Sequence, residues 1–317
     1  GATAVLLAVS LLTLAANLAV SGKLLNELLK FKLDRTAARP MLKFGAACCA
    51  SSIALIFLGH SEKLVLTAYT SVTELAYYSA AFTLANMTTL LSASLMQSLM
   101  PAFATVVNDR GEGGQFQTLY LRSIKIVLLF IPPMIAVMVV VAKPFFSIWG
   151  GPDFGEYSTF PFYVLLFGLI WNLFSYVPYA GLVASGRTDL IARLHWTELI
   201  VYIVVMTVSV KVFGIVGAAL AWSMRVLVDT LLQFKMAKNI TGVRLDAKIL
   251  FASLLLGIMV FALPVVLFLA SSTPLIIALL LLALVSPLYG WLMVKMVLDD
   301  DERRWIGSSI RRFTITN

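Results

Sequence analysis

Three charged side chains, Glu198, Arg225 and Asp229, and one imidazole, His195, interrupt stretches that are otherwise almost wholly apolar. Arg225 and Asp229 stand four apart, and His195 and Glu198 three apart, so each pair shares one face of a helix. A charge at the centre of a membrane helix costs about 2.5–3.5 kcal/mol on insertion scales, which makes each of these residues a functional candidate by default. A guanidinium between two carboxylates can do one of two things. It can attract an anionic group, such as a pyrophosphate or an acidic sugar, through its planar fork of donors. It can instead be neutralised internally and hold two helices together. The residues themselves leave both open. H-x-x-E is half of a known metal-site spacing, but the other histidine, His60, falls on the opposite side of the membrane in the topology below. No metal is expected, and His195 reads more simply as an interfacial or helix-contact residue.

Weaker polar stripes accompany them. In "NMTTLLSASLMQS" (86–98), Asn86, Thr89, Ala93 and Gln97 fall on one helical face. Such a stripe suits close helix packing or the wall of a cavity. Asn172, Ser175, Tyr176 and Tyr179 make a similar pattern. The chain contains no G-x-x-x-x-G-K-[ST], G-x-S-x-G or H-E-x-x-H, the spacings that would cradle a phosphate, expose a nucleophile or hold zinc. Neither a nucleotide-driven pump nor a cofactor is expected.

The elements that position these residues must be membrane helices. The 317-residue chain is 60% apolar and 13% charged, with a mean hydropathy of +0.94. A soluble domain is about 45–50% apolar and about a quarter charged. Apolar runs long enough to cross a hydrocarbon core of about 30 Å recur throughout, and the short alternating segments of a membrane barrel are not seen. The expectation is an all-α integral membrane protein with about nine spans, at 2–21, 42–59, 77–105, 122–142, 160–183, 192–212, 215–236, 248–270 and 274–297. The span at 77–105 is longer than needed and must tilt or project beyond the bilayer. "KVFGIVG" (211–217) reads as a tight outer turn joining two spans in an antiparallel hairpin, which carries Glu198 to the depth of Arg225 and Asp229. Pro132, Pro133, Pro178, Pro264 and Pro287 lie within spans and are expected to kink them. "KPFFSIWGGPDFGEYS" (143–158) reads as an aromatic anchor and an outer loop.

Charge distribution supports this partition. With the first span running inward, 20 of the 24 basic residues fall on the inner side, and Lys63, Lys143 and Lys211 fall outside. That is the positive-inside bias, and it assigns the net charge of +8 to loops facing anionic lipid rather than nucleic acid. The tail "DDDERRWIGSSIRRF" sets Trp305, Ile306, Ile310 and Phe313 against four arginines, the pattern of a short helix on the inner surface. Cys48 and Cys49 are adjacent in an apolar segment and read as small packing residues rather than a bridge. No basic leader with a cleavage site opens the chain.

Residues 186–238 open with G-R-x-D-L and continue with L-H-x-x-E-L, a short loop, G-I-x-G-A-A-L-A-W and R-V-x-x-D. This stretch resembles the flippases for lipid-linked oligosaccharides, in the superfamily that also holds the MATE drug exporters and the lipid II flippases. "ELAYYSAAFTLANMTTLLSASLMQSLMPAFATVV" (74–107) looks like a helix of the same family, and the likeness covers most of 40–240. Members have 12 or 14 spans in two six-helix lobes around a central cavity. The resemblance therefore implies that 40–240 is a second lobe and 1–22 the last helix of an incomplete first lobe. It makes 241–298 an additional C-terminal pair and 299–317 a cytoplasmic tail. About five helices of the family pattern are missing, so the chain alone is not expected to transport. The implied activity is flipping of an undecaprenyl-pyrophosphate-linked saccharide across a bacterial inner membrane, for O-antigen, capsule or exopolysaccharide. Its partners would be that substrate, membrane lipids, and the polymerase and glycosyltransferases of the pathway. A drug/cation antiporter using Glu198 or Asp229 as its ion site is the alternative. A membrane glycosyltransferase or ligase fits less well, because the outer loops are short.

Overall fold

In a bilayer each backbone donor and acceptor needs a partner within the chain, and a single segment can supply these only as a helix. Helix is what this chain forms. The computed structural model describes residues 10–13, 17, 35–109, 114–243, 247–270, 273–298 and 303, with no strand among them. Residues 1–46 and 47–317 form separate compact units; the described part of the first is helical, and the packing below belongs to the second. The helices are α1 (Arg35–Tyr69), α2 (Val72–Asn86), α3 (Thr89–Val106), α4 (Gln115–Gly150), α5 (Pro152–Tyr157), α6 (Thr159–Ala184), α7 (Thr188–Thr241), α8 (Ala247–Ala270) and α9 (Leu275–Met296). Six helices among the described residues are long and apolar enough to cross a membrane, with α7 counted once.

The boundaries differ from the expected spans in three places. The span expected at 42–59 continues as helix to Tyr69, because the buried stripe Ser51, Ala54, Leu58, Glu62 and Leu66 keeps a helical period through the polar "GHSEK". The single long span at 77–105 is two helices, broken at Met87–Thr88. There the Thr88 N–H bonds Ala85 O in a tightened last turn, and the Thr88 hydroxyl donates to the same oxygen at 2.6 Å. The expected outer loop 143–158 is largely helical. It completes α4, turns at Gly151 and forms the short α5. Its aromatics gather at one end, Tyr77 meeting Phe154 and Tyr157, and Phe145 stacking on Trp149. Of the expected first span only residues 10–13 and 17 are described, and of the tail 299–317 only Arg303.

α7 contains the hairpin. Gly214 adopts φ 56°, ψ −136°, a backbone region open to glycine alone. There the helix folds back into two limbs, 188–213 and 215–241. At Gly217 the limbs touch so closely that a Cβ would collide with the Ser209 carbonyl oxygen.

Without water to drive apolar surfaces together, membrane helices are joined by close packing and by side chains bonding across to neighbouring backbones. Ser223 Oγ donates to Val164 O (2.7 Å) and Thr230 Oγ1 to Trp171 O (3.0 Å), so α6 and the second limb of α7 run parallel. Trp196 Nε1 donates to Ala50 O (3.1 Å), and Tyr202 on α7 reaches Glu62 on α1. The order of these contacts makes α1 parallel to the first limb. The α4 helix continues unbroken through Pro132, Pro133 and Pro144. Pro132 has no N–H for the carbonyl of Leu128, four residues back, and the buried hydroxyl of Tyr289 on α9 donates to that oxygen at 2.8 Å. The α8 helix meets α4 at the same level, Gly257 lying against the Pro132 ring.

Candidate functional site

The hairpin at Gly214 sets the site. It turns the first limb's Glu198 toward the second limb's Arg225, and the pair makes a 3.7 Å ion contact between Arg225 Nη1 and Glu198 Oε2. Their side chains are 14% and 8% exposed. Both are therefore withdrawn from the surroundings, where an unpaired charge would be costly. The guanidinium also lies over the Tyr202 ring, 5.3 Å from its centroid, an arrangement that favours a cation. The hydrogen bonding is incomplete. Arg225 Nε and both carboxylate oxygens of Glu198 are buried without a hydrogen-bond partner.

Asp229 is buried nearby and close enough to act electrostatically on Glu198 and His195. Its hydrogen bonds go to its own helix, since both oxygens accept from Gln233 Nε2 at 2.9 Å. The arginine thus has one direct ionic partner and not a symmetrical pair. His195, one turn before Glu198, is buried with its Nδ1 2.8 Å from Ser51 Oγ on α1. It serves as a contact between helices, and no metal-binding group of His, Cys, Asp and Glu occurs among the described residues.

Asn86 and Gln97 are exposed at the end of α2 and on α3, and Asn172 is half-buried on α6. None of the three lines the groove at Arg225. The side chains of Thr89 and Ala93, between Asn86 and Gln97, lie outside the described residues.

Glu62 joins this group without having stood out in the sequence. It is 0% exposed on α1, and its Oε2 accepts from the hydroxyls of Tyr78 (3.1 Å) and Tyr202 (3.4 Å). Ending the span at 59 had put it in an outer loop. The signal that identifies it is the helical stripe from Ser51 to Leu66, in which Glu62 takes a core position.

A groove of about 280 Å³ runs between the two limbs of α7, walled by Leu194, Val201, Val205, Met224, Val228 and Leu232, with Glu198 and Arg225 among its lining. Apolar walls around an ionic pair suit an amphiphile, with a chain along the walls and a charged group at the pair.

Known proteins share this architecture. The fold is similar to that of the lipid II flippase MurJ in an inward closed conformation, with a TM-score of 0.63 at 14% identity, over 84% of this chain and 56% of that one. In sequence the chain is 23% identical over 189 residues to a "Putative O-antigen transporter" of Shigella flexneri, covering 60% of this chain and 44% of that protein. The chain thus spans about half the length of these relatives. Several apolar helices together with transporter relatives make it a multi-pass membrane protein. The family of polysaccharide biosynthesis proteins matches residues 1–158, in front of the stretch 186–238 that carries the resemblance in sequence. Two separate parts of the sequence and the fold thus agree in their likeness to polysaccharide biosynthesis proteins and lipid flippases.

Proposed function

We propose that this chain is part of a flippase that moves an undecaprenyl-pyrophosphate-linked oligosaccharide from the inner to the outer leaflet of a bacterial inner membrane. The observation that carries the reading is the buried, incompletely hydrogen-bonded Arg225–Glu198 pair beside an apolar groove, in a chain whose relatives include a lipid flippase. Arg225 attracts the pyrophosphate, because a guanidinium matches phosphate oxygens with paired donors. Glu198 and Asp229 keep the arginine charged and in place while the site is empty. Asn86, Gln97 and Asn172 replace part of the water around the sugars. The prenyl chain remains in lipid, and rocking of one lobe against the other alternates access.

In this reading 40–240 is the second six-helix lobe, 1–22 closes the first, 241–298 is an added pair and 299–317 lies on the cytoplasmic surface. The protein transports and does not transform its substrate, which is made and consumed by glycosyltransferases and a polymerase. The test is polysaccharide export in a strain lacking its own flippase. The full-length protein should restore export, and Arg225→Ala should lose it at equal insertion. Undiminished export by that variant would remove the arginine from the mechanism.

A further inference from the structure

Glu62 is a buried acidic group that the proposed mechanism leaves without a task. Its Oε1 is buried and meets no donor, while Oε2 takes both tyrosine hydroxyls. Packing alone does not account for a carboxylate sealed inside a membrane bundle. Two cations act on it: Lys63, next in the chain and exposed, and Arg225 from across the α1–α7 interface. Tyr202 stands between Glu62 and Arg225. Its hydroxyl bonds Glu62, and its ring lies under the guanidinium. On the first limb Tyr202 is four residues past Glu198 in the direction of the Gly214 turn, or about 6 Å along the axis. Arg225 therefore has Glu198 one turn to one side and Glu62 at the level of Tyr202. Asp229 is the remaining carboxylate in reach, and Gln233 already occupies both of its oxygens.

We propose that Glu62 is a positioning residue that gives Arg225 a second station. The guanidinium pairs with Glu198 in the conformation described here and with Glu62 in another, crossing between them on the Tyr202 ring. On the flippase reading, on which only the purpose of the movement rests, this carries the anion-attracting charge about one helical turn toward the Gly214 end. The orphaned Oε1 of Glu62 is then the acceptor kept for the arriving donor.

Two measurements on the purified chain in lipid nanodiscs or a lipidic mesophase test this without transport. The first is thermal unfolding of Glu62→Gln, Glu198→Gln and the double variant, each with Arg225 and with Arg225→Gln. With two stations, either single change leaves Arg225 one carboxylate and lowers the midpoint by a few degrees. The double change should cost about 1–4 °C more than the sum, and this excess should vanish in Arg225→Gln. Additive losses with Arg225 present would overturn the proposal, as would an excess that survives its removal. The second is a crystal structure of the Glu198→Gln protein. Arg225 is expected within about 4 Å of Glu62; a guanidinium that stays at position 198 or turns to Asp229 would overturn the second station. Neither readout involves export, so the pairing can fail while the flippase reading stands, and the reverse.

Discussion

Ser51 and His195, 144 positions apart, meet at 2.8 Å between α1 and the first limb of α7, and the next residue on α7, Trp196, bonds the carbonyl of Ala50 beside Ser51. These two contacts hold the limb that carries Glu198. A polar bond between membrane helices contributes about 0.6 kcal/mol on average, and up to about 1.7. Ser51→Ala and His195→Phe should each lower resistance to unfolding in an SDS titration by about that amount. The double variant should be no worse than the weaker single one. Independent, summed losses would show that the two side chains do not act on each other.

Replacement of Arg225 separates its two roles. If it binds the anionic cargo, Arg225→Ala should cut export per inserted molecule by about ten- to a hundredfold, the worth of a hydrogen bond to a charged group. Arg225→Lys should retain part of the activity, since the charge remains and the planar fork is lost. If the pair only supports the hairpin, abundance should fall instead, because stranding a buried partner costs about 3–5 kcal/mol. Export normalised to membrane-inserted protein distinguishes the two, and wild-type values for Arg225→Ala and Glu198→Gln alike would leave the pair as scaffold.

The hairpin closes on Gly217. A methyl group there would collide with the Ser209 backbone, which cannot rotate away as a side chain can. Gly217→Ala should reduce the monodisperse fraction in size-exclusion chromatography, with a destabilisation of about 1–3 kcal/mol. Gly290→Ala on α9, where nothing stands within 4 Å of the new Cβ, should behave as wild type. Equal profiles for both variants would mean that the limbs lie farther apart than described.

Orientation is open to labelling. Single cysteines at the exposed positions Asn239 and Glu156, in a background with Cys48 and Cys49 replaced by serine, should react with an impermeant maleimide from opposite sides. Asn239 is expected to label from the cytoplasm and Glu156 from outside, following the basic residues. Reaction of both from one side would break the alternation on which the shared depth of Glu198 and Arg225 rests.

The parts of this architecture legible in the sequence were those fixed by strong local chemistry. A glycine between two long apolar runs announced the turn at Gly214, and the hairpin geometry then followed from counting residues, bringing Glu198 to Arg225. Where composition and helical period disagreed, composition misled. "GHSEK" is polar enough to end a span, yet the buried face at Leu58, Glu62 and Leu66 carries the helix on, and with that misplaced boundary Glu62 was missed. The break at Met87–Thr88 has no glycine or proline to mark it; a threonine hydroxyl bonding back to its own helix makes it. The sequence sets Arg225 between two carboxylates, Glu198 and Asp229, the second because i, i+4 neighbours share a face. Gln233, on the same face one turn further on, had an equal claim on Asp229, and spacing alone could not choose between them.

Tyr289 donates to a carbonyl that Pro132 left open, 161 positions earlier in the chain. At a synthesis rate of about 5–20 residues per second, the ribosome makes the tyrosine on the order of ten seconds or more after the oxygen it will satisfy. Through that interval Leu128 O on α4 lacks the donor that it has in the folded chain. Water, lipid headgroups or the insertion machinery must attend that oxygen in the meantime. Docking of α9 is therefore also the step that completes the hydrogen bonding of α4.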